Sequence, residues 1–520
     1  METMEKQSHT TTYEYDGTRE SIPTECRVEH TLPDYLPEIR RILRVTARPI
    51  AAGRYLGEGS TEFSGAVAYT VVYADGEGKP AALSLTGEYT VSCPRTEGDH
   101  AAPLAVAEVE GTVCRPLGPR RLSLVSTLRC RIHMPRTLSL PSPEGEGCER
   151  LTAPCRTRRT LLAESGEIAF SDGIAVPGIP AEELHPLFCE GSLLIEDLRV
   201  GEDTVRLRGT VCARVTVSDG EGSPTCFTAR IPMEREIACE GARPGDVPLP
   251  LGQITSLGAR LTGDGEGGAR LELDGIAECA LRLLRNEPIA PTVGLYSPFC
   301  PTDVTVAPLS LEALSGATFG NYTVSGSFTS PAGEERASRV LDTDATVLVR
   351  KVTRDGDRPV VMGDVTVRMI LVGAPTEEGA PTCHPAEHTY PFRLPLPITL
   401  PEGEVRFECH AEAISAQGRI EGEGYAADTE LAVSLSAFST TALPAVSAVV
   451  LHPEEAYSRS GGSVTVVYPD GEDTLWSIAE RYHTTPAAVA TANDLPFTDN
   501  EEAALSHSLD GVSYLLIEYS

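Results

Sequence analysis

Gly65-Ala66-Val67-Ala68-Tyr69-Thr70-Val71-Val72-Tyr73 decides the reading of this chain. Val67, Tyr69, Val71 and Tyr73 alternate with smaller or polar residues and form one apolar face at period two. That period belongs to a half-buried β-strand. The pattern returns from Gly209, with Val211, Ala213, Val215 and Val217, and again from Gly363, with Val365, Val367, Met369 and Leu371. The spacings between the three leading glycines are 144 and 154 residues. Asp75-Gly76-Glu77-Gly78-Lys79-Pro80 follows the first run, and Asp219-Gly220-Glu221-Gly222-Ser223-Pro224 follows the second. An Asp-Gly pair between strand-like runs predicts a tight hairpin, because the glycine accepts positive φ without a Cβ clash. The third run leads instead into a longer loop, Gly373 to Pro381. Arg121-Leu122-Ser123-Leu124 ahead of Cys130 matches Arg270-Leu271-Glu272-Leu273 ahead of Cys279, at a spacing of 149, and Glu430 to Leu435 is the third counterpart.

These repeats predict a mainly β chain. Three repeated antiparallel β-sandwich or barrel-like modules are followed by a small α+β unit of order strand, helix, helix, strand. The expected divisions are an N-terminal tail over 1–30 and modules over 31–150, 158–290 and 306–451. A linker follows over 452–463, then the terminal unit over 464–520. Each module is expected to hold about seven to nine strands, as sandwiches and barrels do. Pro141 to Thr157 and Asn286 to Ala307 read as connectors, and Ser460-Gly461-Gly462-Ser463 as the flexible part of the linker. In Tyr35 to Leu43, Pro37 suits a first helical position and Ile39, Ile42 and Leu43 share a helical face, so a short helix is expected there.

The lead into Ile39-Arg40-Arg41-Ile42-Leu43-Arg44-Val45, followed by the strand that ends in Tyr73-Ala74-Asp75, resembles the SPOCS module of spore-coat assembly proteins. The terminal unit resembles a LysM domain. Glu472-Asp473-Thr474-Leu475-Trp476-Ser477-Ile478-Ala479 is close to that family's Gly-Asp-Thr-Leu-Trp-Ser-Ile-Ala, and Thr484 to Asn493 matches its second helix. Asp473 or Thr474 is expected to cap the first helix, with Leu475, Ile478, Ala479 and Tyr482 as its buried stripe. The resemblance places the ligand groove at Asp473, Thr474, Trp476, Asn493, Asp494 and Leu495. The glycine displaced to Gly471 and the long acidic loop from Asn493 to Gly511 both fall on that groove. Trp476 reads either as core or as a partner anchor, since Trp often dominates interfaces.

SPOCS-like modules followed by one LysM resemble the SipL-type coat morphogenetic proteins. The resemblance implies a non-enzymatic scaffold in the mother-cell cytosol at the forespore surface. Its partners would be the coat-basement ATPase and other coat proteins. The rival expectation is LysM binding of peptidoglycan or other N-acetylglucosamine polymers.

Composition agrees with a scaffold. The 520 residues carry 43 Lys and Arg against 75 Asp and Glu, a formal charge of −32, which excludes nucleic acid and anionic membranes as main partners. Aromatics at 5% argue against base stacking. Met1 to Gly17 lacks an apolar run, and the stretch near Ala442 to Leu451 is too short to span a bilayer, so a cytosolic protein without a transmembrane segment is expected. The fourteen cysteines are scattered and form no Cys-x-x-Cys pair, so they are expected to be reduced and buried.

No catalytic constellation and no cofactor motif is predicted. Cys383, His384, His388, Cys409 and His410 are residue types that zinc accepts, but their spacing matches no standard site, and His384 and His388 fall in a Pro-rich stretch. Gly263, Gly265 and Gly268 spell a dinucleotide-like Gly-x-Gly-x-x-Gly, yet they lead into a strand rather than a helix. Glu144 to Gly147 and Glu421 to Gly424 read as solvated turns.

Overall fold

The computed structural model describes residues 9–518, apart from 17–18, 58, 95–102, 143–146, 221, 264–267, 330–336, 375–380, 459–462, 496–508 and 510. The first eight strands are β1 (His9–Asp16), β2 (Arg19–Thr31), β3 (Arg41–Leu56), β4 (Ser60–Ala74), β5 (Pro80–Pro94), β6 (Leu104–Gly118), β7 (Arg121–His133) and β8 (Pro135–Ser142). A short strand β9 (Glu149–Thr152) precedes β10 (Cys155–Glu164), β11 (Ile168–Val176), β12 (His185–Val200), β13 (Thr204–Ser218), β14 (Pro224–Ala238), β15 (Val247–Gly263) and β16 (Ala269–Ile289). Then come β17 (Thr292–Tyr296), β18 (Thr302–Thr329), β19 (Ala337–Asp355), β20 (Arg358–Gly373), β21 (Cys383–Pro395), β22 (Arg406–Glu421) and β23 (Gly424–Leu451). The terminal unit is β24 (Val464–Val467), α1 (Leu475–Arg481), α2 (Pro486–Ala492) and β25 (Leu515–Glu518). No helix among the described residues is long and apolar enough to cross a membrane.

The three modules share one topology. A meander forms the first sheet, as β3-β4-β5, β12-β13-β14 and β19-β20-β21. The second sheet sets the module's first strand beside its last, as β2-β7-β6 and β18-β23-β22; in the middle module β10 and β11 share this role along β16, with β15 on its other side. The middle module has seven strands, β10 to β16, within the expected seven to nine, while the third forms its two sheets from six, β18 to β23, with β18 and β23 running for 28 residues each. The repeated runs are the central strands β4, β13 and β20, and their alternating apolar residues are 0–3% exposed. They pack on the central strands of the facing sheets, β7, β16 and β23, which carry the second repeated pattern. Tyr69 donates to Ser126 Oγ across the first sandwich at 2.9 Å.

Three local expectations are corrected. Within the expected tail over 1–30, the described residues form strands: β1 pairs with β8, and β2 completes the second sheet, burying Cys26. Tyr35 to Leu43 is not a helix. It is a loop followed by β3, because Ile42 and Val45 pair with Tyr73 and Val71, and backbone partners outweigh a short helical period. In the hairpins the left-handed residue is the second glycine. Gly78 and Gly222 both have φ +83, while Asp75 Oδ1 accepts from Glu77 N and Lys79 N. Asp219 repeats this by accepting from Ser223 N. In the third module, residues 375–380 of the longer loop lie outside the described residues, as do 264–267 of the glycine motif and 143–146 of the first acidic turn. The other acidic turn, Glu421 to Gly424, joins β22 to β23.

A register shift shows how the modules assemble. Leu43, Leu187 and Leu341 are each the extra residue of a bulge, between Ile42 and Arg44, Pro186 and Phe188, and Val340 and Asp342. Their spacing of 144 and 154 is that of the sequence repeat. The bulges turn these leucines outward into one shared apolar cluster with Val72, Phe188, Ile370 and Val372. The first strand of each meander meets the third strand of another module: β12 meets β5, β3 meets β21 and β19 meets β14. The modules therefore close a ring with pseudo-threefold symmetry.

Charges sit beside that cluster. Arg44 of the first module is fully buried and reaches Glu190 of the second and Asp342 of the third, both at 2.7 Å. Arg214 bridges Glu190 at 3.2 Å, Asp342 at 3.2 Å and Asp344 at 3.1 Å. Thr46 donates to Glu190 at 2.5 Å. A second buried group joins modules two and three, with Arg158 and Arg282 on Glu408 at 3.3 and 3.0 Å and Arg158 stacked over Phe438.

Burial disfavours the charge of Asp342, but Arg214 and Arg44 outweigh it and hold its carboxyl at about 2. A carboxyl depressed below its unfolded value near 3.9 adds stability above that pH, and the contribution is lost as pH falls through the folded value. We predict that stability to urea falls between about pH 4 and pH 2 and that Asp342→Asn flattens this slope. Arg44→Leu leaves Glu190 and Asp342 facing a single guanidinium, and a loss of about 3–5 kcal/mol is expected. A wild-type-like urea midpoint in Arg44→Leu would refute the central role of this network.

Candidate functional site

The terminal unit builds itself from local signals. β24 and β25 pair antiparallel from Val464↔Glu518 to Val467↔Leu515. Thr474 caps α1: its Oγ1 accepts from Ser477 N at 3.2 Å, while Ser477 Oγ accepts from Thr474 N at 2.9 Å. Leu475, Ile478 and Ala479 are buried, with Tyr482 packed beside them. Thr485 caps α2 by accepting from Ala488 N at 3.1 Å, and Pro486 opens that helix.

The six expected groove residues take different roles. Asp473 is buried and accepts from Asp470 N at 3.1 Å and from Arg481 at 2.7 Å. Burial opposes its charge, but the Asp470 N–H and the Arg481 guanidinium hold its pKa below the usual carboxylate value. Asn493 donates to Val489 O and Leu516 O, both at 2.8 Å, and accepts from Leu516 N at 2.7 Å. Its amide thus ties α2 to β25. Thr474 is spent on its cap, and Leu495 packs at the edge of the core. Asp494 is exposed, in a left-handed conformation at φ +50. Asp499 to Glu502 of the acidic loop lie outside the described residues.

Trp476 is the departure from expectation. A side chain at the start of a helix is usually half exposed, yet this one is 9% exposed. The cover comes from the two connectors. β9 and β17 pair with each other, from Thr292↔Thr152 to Tyr296↔Glu149, and form a platform under the unit. Tyr296 meets the Trp476 ring edge-on at 4.9 Å, and its hydroxyl donates to Thr484 O at 2.8 Å. Leu151 joins the same core. At Gly294 a Cβ would come within 3.2 Å of the indole, so a bare backbone is what admits the ring. Tyr457, from the linker, stacks on His483 at 3.7 Å, and its N–H donates to Phe299 O at 2.9 Å. Tyr296, Leu151 and Gly294 carried no local signal, since proline-rich connectors read as linkers until a partner strand is known.

Residues 472–499 match the LysM domain family. The LysM domain suggests binding of peptidoglycan or N-acetylglucosamine-type glycans, or a protein-interaction role. Comparisons with curated proteins and with solved structures found no match.

The Cys/His residues do not converge. Cys383, His384 and His388 lie on β21, a strand rather than a Pro-rich loop, and Cys409 and His410 lie on β22 in the other sheet of the module. His388 stacks on Phe328 and His410 pairs with Glu108 of the first module at 2.6 Å. No group of metal-ligating side chains forms among the described residues. Burial raises the Cys130 and Cys383 thiols to about 11, far from the thiolate range that a nucleophile needs.

Tyr296→Ala removes an aromatic edge contact and a buried hydrogen bond, together about 1–3 kcal/mol. The expected result is a red-shifted Trp476 emission and faster proteolysis between His452 and Ser463, with the LysM domain itself folded. Unchanged emission in Tyr296→Ala would show that the platform does not hold the domain.

Proposed function

We propose that the chain is a non-enzymatic scaffold in spore-coat assembly. It works in the mother-cell cytosol at the forespore surface, and its LysM domain holds a coat morphogenetic ATPase while the three modules meet other coat proteins. The observation that carries this reading is the mounting of the LysM domain. Trp476 and Tyr296 clamp it to a ring of three fused modules, so a recruiting domain is held at a set position on a rigid acidic body. The likeness of the first module to SPOCS supports the coat assignment.

Glycan binding is the second reading, and the LysM match favours it. Against it, the Asp473 carboxylate and the Asn493 amide are already committed to Arg481 and to the β25 backbone, which leaves fewer polar groups to meet a sugar.

The test uses the purified full chain. It should co-precipitate the coat morphogenetic ATPase and stay in the supernatant with insoluble peptidoglycan. Retention on peptidoglycan or chitin without capture of the ATPase would overturn the scaffold reading in favour of the glycan one.

A further inference from the structure

With Trp476 sealed under the platform, a different face of the LysM domain is open. Strands β24 and β25 form a ribbon whose inner side chains, Val467, Leu515 and Ile517, pack on the helices. Among the described residues nothing covers the outer side chains. Val464 is 55% exposed, Val466 50%, Tyr468 76% and Tyr514 56%. They line up in register: Val464 stands opposite Glu518 and Val466 opposite Leu516, and Tyr468 and Tyr514 continue the row past the Val467–Leu515 pair. Two β-branched residues, a leucine and two tyrosines thus form one apolar strip on a flat ribbon. Isolated exposed apolar residues are ordinary, but a contiguous strip of this kind marks a contact surface.

The net charge of the domain selects the occupant. Residues 464–520 carry ten Asp and Glu against one basic residue, Arg481. Arg481 is itself paired with Asp473. The domain is therefore at −9 without counting histidine. A second copy of this chain, at −32, would be repelled. A glycan would find few hydrogen-bonding groups on the strip.

We propose that the outer face of the β24–β25 ribbon is a docking surface for a basic polypeptide segment that alternates apolar side chains with lysine or arginine. Its apolar residues lie on Val466, Leu516, Tyr468 and Tyr514, and a cation faces Glu518 opposite Val464. The surface rests on the protein-partner reading above and assigns that contact to this ribbon rather than to the LysM groove.

The test titrates the full chain with a fluorescent peptide that alternates lysine with valine, and with its glutamate counterpart. The lysine peptide should bind and weaken with added salt, and the glutamate peptide should not bind. Val466→Glu and Tyr514→Ser should each weaken binding at least about tenfold, as loss of a central apolar contact does. Both positions face solvent, and an unshifted Trp476 emission shows that the domain is still folded and docked. Val466→Thr keeps the β-branched shape and should lose less. Equal binding of both peptides, or unchanged binding in folded Val466→Glu and Tyr514→Ser, would overturn the ribbon surface. Loss of binding in Asp494→Ala alone would move the contact to the groove and keep the protein-partner reading. Retention of the wild-type chain on peptidoglycan, with neither peptide bound, would remove that reading itself.

Discussion

Arg44 cannot be buried by its own module. Its guanidinium is enclosed, and the carboxylates that neutralise it come from the second module through Glu190 and the third through Asp342. An isolated buried charge costs several kcal/mol even after relaxation. A first module folded alone would need to expose Arg44 to water, and a third module would need to do the same with Asp342 and Asp344. The network thus disfavours partial assemblies more than it adds net attraction. The bulged leucines beside it supply the attraction, since their burial is non-directional and fits any close approach. Apolar contact draws the modules together, and the ion pairs admit one arrangement.

The connectors extend the middle module. The segments around 149–152 and 292–296 flank β10 and β16, which are antiparallel partners in the middle module. The β10–β16 pairing of the middle module sets them side by side, and the ribbon they form becomes the seat for the LysM domain. The indole of Trp476 then works inside the molecule. Its partner Tyr296 belongs to a connector that is a strand because the β10–β16 ladder of the middle module, which ends at Cys155↔Ile289, carries on into β9 and β17. The LysM domain is consequently seated on an extension of the middle module's own sheet, and its exposed ribbon faces away from its own helices.

Much of this was legible in the residues. Alternation at period two identified β4, β13 and β20 and their burial, because a strand's two faces are dictated by backbone geometry. The Thr474 cap, the helical stripe and the strand pair of the LysM domain were legible for the same reason: each depends on neighbours a few residues away or on a short motif. Local reading failed where a long-range partner decided the outcome. Ile39, Ile42 and Leu43 have a helical spacing, but β4 offers Ile42 a backbone ladder and the bulge sends Leu43 to the ring axis. Residues 1–30 look polar and tail-like, but β7 needs a neighbour on its second side.

The β class, the threefold repeat and the LysM unit could be read from the residues, since periodicity, turn residues and caps act within a few positions. That the modules form a ring, that Arg44 answers to Glu190 and Asp342, and that Trp476 lies under Tyr296 came from contacts across the folded chain. Those pairs are separated by 146, 298 and 180 residues, and no local pattern encodes which distant partner will satisfy a charge or cover an indole.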